Sequence, residues 1–169
     1  MKIAFLTSGG LAPCLSASIA ALLESYKMEN ISAEFSGYLN GYQGLLKGKS
    51  YEFPSQITKN VGMLFSFGGS IIGNSRVKLT NAEDCEKRGL ILPGEKPLEK
   101  AAKQLMKDKI SILHTIGGDD TNTMAAELSH YLHEIGYDLT VVGLPKTVDN
   151  DIVPIVQSLG ADTAAEQGA

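Results

Sequence analysis

Short blocks of apolar residues alternate along this chain with stretches in which apolar positions recur every three or four residues. Residues 3–6, 33–38, 110–116 and 139–144 form the blocks. Residues 3–6, 110–116 and 139–144 are apolar enough to predict buried strands, and residues 33–38 are read as a second strand. Between them, residues 16–27 carry an Ala/Leu stripe at helical spacing. Residues 97–107 place Leu98, Ala101, Ala102, Leu105 and Met106 on one side of a helix, with Pro97 in its first turn. A third helix follows residue 118, with Met124, Leu128, Leu132 and Ile135 on one face and Gly136 to stop it. Residues 55–63 are also read as a helix. The Gly/Tyr/Asn-rich stretch through Gly41 and Gly44 is read as a loop, and residues 65–76 as irregular. Residues 160–169 look like the start of one more helix, capped by Asp162 or Thr163, so the chain is expected to stop within an element. Strands alternating with helices predict an α/β fold, a mostly parallel sheet with helices on both faces.

With 169 residues, 43% of them apolar, the chain has the size and composition of one soluble globular domain. It contains no internal repeat and no low-complexity linker. A net charge of −4 argues against a nucleic-acid or anionic-membrane partner, since either would call for a basic surface. The apolar opening is cut short by Ser8-Gly9-Gly10, and no apolar run approaches the roughly 20 residues of a membrane span. Cys14 and Cys85 lack the spacing of a disulfide framework or a zinc site, so a reducing, cytoplasmic setting is expected. Cys14 reads as a small buried side chain, and Met63, Met106 and Met124 as core filling. His130 and His133 share a helix face but have no third ligand nearby and read as surface residues.

The chemistry lies where the strands end. Gly117-Gly118-Asp119-Asp120-Thr121 follows the third block, and Pro145-Lys146-Thr147-Val148-Asp149-Asn150-Asp151 follows the fourth. Both acidic clusters should therefore emerge from neighbouring strand ends, where open α/β sheets bind ligands. Carboxylates, a lysine and glycines gathered there suit a metal-assisted phosphoryl transfer. Asp119 or Asp120 could hold Mg²⁺ directly or through water; the bland reading is a solvated turn with a helix cap. A carboxylate among Asp149, Asn150 and Asp151 could take the proton of an attacking alcohol while Lys146 neutralises phosphate charge; the bland reading is a polar turn. Thr7-Ser8-Gly9-Gly10 could cradle a phosphate or be a plain tight turn, and it matches neither the dinucleotide fingerprint nor the Walker A pattern. Arg76 ends a glycine-rich loop and could grip phosphate oxygens with its fork of donors, or simply be solvated.

Taken together, four separated motifs resemble the phosphofructokinase family, in its pyrophosphate-dependent branch. They are Thr7-Ser8-Gly9-Gly10-Leu11-Ala12-Pro13, Gly73-Asn74-Ser75-Arg76, Gly117-Gly118-Asp119-Asp120-Thr121 and Pro145-Lys146-Thr147-Val148-Asp149-Asn150-Asp151. The resemblance implies a Rossmann-like lobe and a glycolytic reaction that moves a phosphoryl group from pyrophosphate to the 1-hydroxyl of fructose 6-phosphate. It implies that Asp149 is the general base, that Asp119 organises Mg²⁺, and that Arg76 and Lys146 stabilise charge in transfer. Gly10, Gly118, Asp120 and Lys146 would bind the donor, and Thr147, Asp149 and Asp151 the sugar. ATP-dependent relatives usually have Gly in place of Asp120 and of Lys146. A carboxylate near ATP's α-phosphate would repel it by ~4 kcal/mol per charge pair at ~4 Å and an effective dielectric of ~20. Lys146 would add grip on a donor without adenosine, and Met124 would crowd the adenine site. Cys14-Leu15-Ser16 departs from the Gly-Met-Asn of many relatives.

Family subunits are about twice this length, so residues 1–169 are expected to be the N-terminal donor- and Mg²⁺-binding domain of a two-lobe subunit, homo-oligomeric in its parent. The alternatives are an ATP-dependent phosphofructokinase, an NAD-kinase-like enzyme, which also uses a Gly-Gly-Asp loop, and a truncated chain that binds phosphate or a partner subunit without turnover.

Overall fold

In the computed structural model, which describes residues 1–168 apart from the side chains of Lys59 and Gln167, five strands form one sheet in the order β3-β2-β1-β4-β5. The strands are β1 (Lys2–Thr7), β2 (Glu34–Tyr38), β3 (Ser50–Glu52), β4 (Ile112–Gly117) and β5 (Thr140–Pro145). β1, β2, β4 and β5 are parallel, and only the edge strand β3 is antiparallel. The helices are α1 (Cys14–Met28), α2 (Tyr42–Lys47), α3 (Ser55–Lys59), α4 (Gly62–Phe65), α5 (Ala82–Lys87), α6 (Pro97–Lys107), α7 (Asp119–Glu134) and α8 (Ala161–Gly168).

The central strands alternate between two cores. Ile3 and Phe5 face one cluster with Leu15, Ile19 and Leu23 of α1, and Ala4 and Leu6 face the other with Leu45, Leu105, Leu128 and Leu132 of α2, α6 and α7. Burial on both faces is why β1 reads as a continuous apolar run, whereas β5, expected to be buried, stands at the sheet edge and is largely exposed. Each Leu or Ile fully buried here contributes about 1.5–3 kcal/mol. α6 begins with Pro97 at its first position and buries Ala101, Ala102 and Leu105, as its spacing predicts.

Several expectations are corrected. The loop expected through Gly41 and Gly44 contains α2, whose Tyr42, Leu45 and Leu46 are buried. Gly44 obscures that helix because it lacks a side chain, and the backbone of Leu39 occupies the space where one would be. Residues 55–63 do not form one helix: the chain breaks at Asn60 into α3 and α4. Strand β3 and helix α5 were not anticipated. Ile135 is 47% exposed because α7 has ended at Glu134. Met63 is 72% exposed, since the single turn of α4 turns Leu64 inward instead, and Met106 is also on the surface while Met124 is buried. Cys14 is half-buried rather than buried. The terminal helix starts at Ala161, so Asp162 and Thr163 lie within its first turn rather than capping it, and the expectation for Ala169 lies outside the described residues.

Candidate active site

The sheet reverses its strand order at β1, so β1 and β4 diverge into separate connections at their C-terminal ends, where Thr7 pairs with Ile116. This is the crevice in which doubly wound sheets bind ligands. Thr7 leaves the strand with its Oγ1 bonded to Ser70 Oγ at 2.7 Å and to the Gly73 carbonyl at 2.6 Å. Ser8 Oγ and the Gly9 N–H both donate to the Ser75 carbonyl at 2.9 Å, and Asn74 Nδ2 donates to the Gly9 carbonyl at 2.7 Å. Gly9 has φ of +89°, a conformation that suits glycine and turns the backbone toward residue 118. Residues 73–75 are thus stitched to the first turn, and Arg76 projects beside it. Ser16 donates its Oγ to the Gly69 carbonyl and accepts the Ile71 N–H. It anchors the glycine-rich loop.

On β4, Gly117 has no room for a side chain: a Cβ would fall 2.5 Å from Thr121 Oγ1 and 2.6 Å from the Ser8 carbonyl oxygen. That close approach brings the first turn of α7 against the β1 turn. Asp119 and Asp120 open α7, where the positive end of the helix dipole favours their charge. Asn122 Nδ2 braces the turn through the carbonyls of Gly117 and Gly118. From β5, the Lys146 N–H donates to the Gly117 carbonyl at 2.9 Å, and only 7% of the residue is exposed. A Cβ placed on Gly10 would lie 3.7 Å from Lys146 Nζ and 3.8 Å from Arg76 Nη2, so both cations reach the same glycine turn.

Beyond Lys146 the chain makes an exposed loop that carries Thr147, Asp149 and Asp151. Thr147 Oγ1 accepts the Asp149 N–H at 3.1 Å and lies 3.4 Å from Asp151 Oδ1. Asn150, at φ +52°, bridges the loop by accepting the Ser158 N–H and donating to the Val156 carbonyl, while Ser158 Oγ donates to the Thr147 carbonyl. Neither Asn150 nor Ser158 was singled out from sequence. The tolerance of Asn for the left-handed region was the available signal.

Two cavities result. One, of about 440 Å³, lies between Ser8–Gly10, Arg76–Lys78 and the start of α7, with Asp120 and Met124 in its wall. The other, of about 420 Å³, contains Lys146, Thr147, Asp149 and Asp151. They meet at Gly10, Arg76, Gly118 and Asp119, which line both. All the site residues expected from sequence therefore line this double chamber.

Asp120 differs in one respect from the bare charge expected: Lys78 Nζ lies 2.5 Å from its Oδ2. Met124 accepts the Leu79 N–H on its sulfur. Cys14 lies near Gly160, and desolvation holds its thiol above the ordinary pKa although Lys146 opposes this. Among the described residues no group of three or more His, Cys, Asp or Glu side chains converges as a metal cage. His130 and His133 are exposed, with His130 beside Glu134. No helix among the described residues is long and apolar enough to cross a membrane.

A mostly parallel sheet with a glycine turn, two cations and several carboxylates at its switch point defines an α/β domain with a charged crevice at its strand ends. The phosphofructokinase family model matches residues 2–169, and the chain belongs to that family. It is 60% identical over 168 residues to a pyrophosphate–fructose 6-phosphate 1-phosphotransferase of Methylomonas methanica, covering 99% of this chain and 41% of the relative. It is 59% identical to the protein of that name from Propionibacterium freudenreichii, covering 99% and 42%, and 38% identical to an ATP-dependent 6-phosphofructokinase of Thermotoga neapolitana, covering 96% and 44%. Among solved structures, Pichia pastoris phosphofructokinase in the T-state superposes with a TM-score of 0.78 at 27% identity, over 98% of this chain and 17% of that one. The chain spans about two fifths of the length of the sequence relatives named here.

Proposed function

We propose that this chain is the donor-binding lobe of a pyrophosphate-dependent phosphotransferase that phosphorylates the 1-hydroxyl of fructose 6-phosphate. The observation that carries the reading is the double chamber: Arg76 and Asp119 stand where a cavity with Asp120 and Met124 joins one with Lys146 and Asp149. A donor in the first and an acceptor hydroxyl in the second would meet at that junction. The relatives at 54–60% identity, named for pyrophosphate, support the donor. So does Asp120, which lines the first cavity, where the resemblance to the family would set it against a nucleotide's α-phosphate.

In this reading Asp149 accepts the proton of the sugar's 1-hydroxyl as the oxygen attacks phosphorus, and Thr147 and Asp151 orient the sugar. Arg76 and Lys146 stabilise the charge spread over the transferring oxygens, which is the main contribution a protein makes to this reaction. The backbone of Gly10 and Gly118 lets the donor phosphates approach closely. Mg²⁺ characteristically uses one or two carboxylates and takes its other ligands from water and substrate phosphates. Asp119, lining both cavities, fits that demand without a protein cage. When bound there, Mg²⁺ would neutralise donor charge. The remaining sugar contacts would come from a second lobe, and a soluble cytoplasmic homo-oligomer remains the expected parent.

The test is conversion of fructose 6-phosphate by the parent polypeptide with Mg²⁺ and either donor. Preference for pyrophosphate is expected; preference for ATP overturns the donor. Residues 1–169 alone should turn over far more slowly, because a displaced acceptor forfeits much of the ~7–11 kcal/mol that positioning can supply. A soluble lobe with the parent's kcat/KM would remove the two-lobe reading.

A further inference from the structure

We propose that Lys78 is a positioning residue for donor choice, which holds the Asp120 carboxylate across the donor cavity and offsets its charge so that pyrophosphate can bind beside it. This rests on the donor reading above. A lone carboxylate in a cavity meant for a polyanion repels the intended ligand as well as the unwanted one. Asp120 is not alone: Lys78 Nζ stands 2.5 Å from its Oδ2 inside that cavity. The pair keeps the bulk of the carboxylate in place and cancels most of its net charge. Exclusion of a longer donor then comes from occupied space, while the shorter donor meets a neutral pair instead of a bare anion.

The backbone delivers Lys78 to this position. Val77 and Leu79 are buried, so Arg76 and Lys78, alternating with them, face the cavity. The segment is fixed at both ends, by the Ser75 carbonyl receiving Ser8 and Gly9, and by the Leu79 N–H on Met124 Sδ. The ammonium and carboxylate side chains remain 48% and 67% exposed, respectively. A pair so exposed contributes little to fold stability, so removing it should change donor handling and leave the fold intact.

The experiment is a double-mutant cycle in the parent polypeptide, with KM and kcat for pyrophosphate measured on wild type, Lys78→Ala, Asp120→Gly and the double variant. Lys78→Ala should raise KM for pyrophosphate about tenfold, with a smaller change in kcat and an unchanged thermal midpoint. In the Asp120→Gly background the same substitution should raise KM by a clearly smaller factor, because only the attraction of the free ammonium is lost and there is no carboxylate left to hold. Lys78→Arg should restore most of the wild-type KM. An equal rise in both backgrounds would assign Lys78 to direct phosphate contact or to structure and overturn the proposal. So would no rise in the wild-type background. A wild type that prefers ATP fails the donor reading first, and this inference with it; one that prefers pyrophosphate but lacks the coupling fails the inference alone.

Discussion

The two sides of the site are built differently. On the donor side, the β1 turn and residues 73–75 are tied through Thr7, Ser8, Gly9 and Asn74, and Thr7 and Ser8 are completely or almost completely buried. On the acceptor side, Val153 and Val156 are more than 90% exposed, and the loop is closed chiefly by Asn150 and Ser158. β5 itself is the open edge of the sheet, with a hollow of about 540 Å³ along its flank with α7. A cradle for phosphate needs backbone N–H groups fixed before the ligand arrives, and that rigidity is inseparable from the core. A base needs only reach. Substitutions in the buried β1 turn and its ties should therefore damage the fold, and those in the exposed acceptor loop the chemistry alone.

The largest break in that contrast is Asp149→Asn. The side chain is exposed and the backbone tie to Thr147 does not depend on it, so the parent polypeptide should fold normally. Its kcat should fall by ~10²–10⁴, equivalent to about 3–5 kcal/mol of barrier, with sugar binding less affected. Near-normal kcat in the purified variant would remove Asp149 from the role of base.

Next comes acid, acting on the buried side. His114 on β4 is 4% exposed, stacks on Phe5, and shares a 2.7 Å hydrogen bond between Nε2 and the Tyr26 hydroxyl. Burial pulls its pKa down from an ordinary 6.5 to about 4. Between those values the unfolded chain binds a proton that the folded one does not, so stability is complete above pH 6.5 and is lost as pH falls toward 4. The loss amounts to about 3 kcal/mol at most, and denaturant midpoints measured across this range should show it. His114→Gln should flatten that slope; an unchanged slope would assign it to other groups.

A smaller effect sharpens the donor side. Gly117→Ala sets a methyl group against Thr121 and the Ser8 carbonyl, and should cost ~1–3 kcal/mol by overpacking. At roughly 2–4 °C per kcal/mol for a domain of this size, calorimetry would register the shift in midpoint. An unshifted midpoint would mean that the turn is looser than its contacts imply.

Much of this was legible in the chain because period and punctuation agreed, as in α6, where Pro97 precedes apolar residues at helical spacing. It failed where glycine served packing rather than turning, as at Gly44 in α2. The site motifs located the strand ends and their loops. They could not disclose Lys78, because its partner is 42 positions away and is reached only through the alternation of Val77 and Leu79 in a segment without regular structure. Nor could spacing show that Asn150 closes its loop through side-chain bonds to Val156 and Ser158.

The place of β1 in the sheet also sets a timetable. β1 lies between β2 and β4, yet β4 ends at Gly117, 110 residues after Thr7. During synthesis at ~5–20 residues per second, one side of the central strand waits roughly 5–20 s for its partner. Until then the turn at Ser8 and Gly9 has no Ile116 carbonyl to receive its N–H and no α7 to lean on. The β1 turn is therefore completed late, by the same event that gives the central strand its second neighbour.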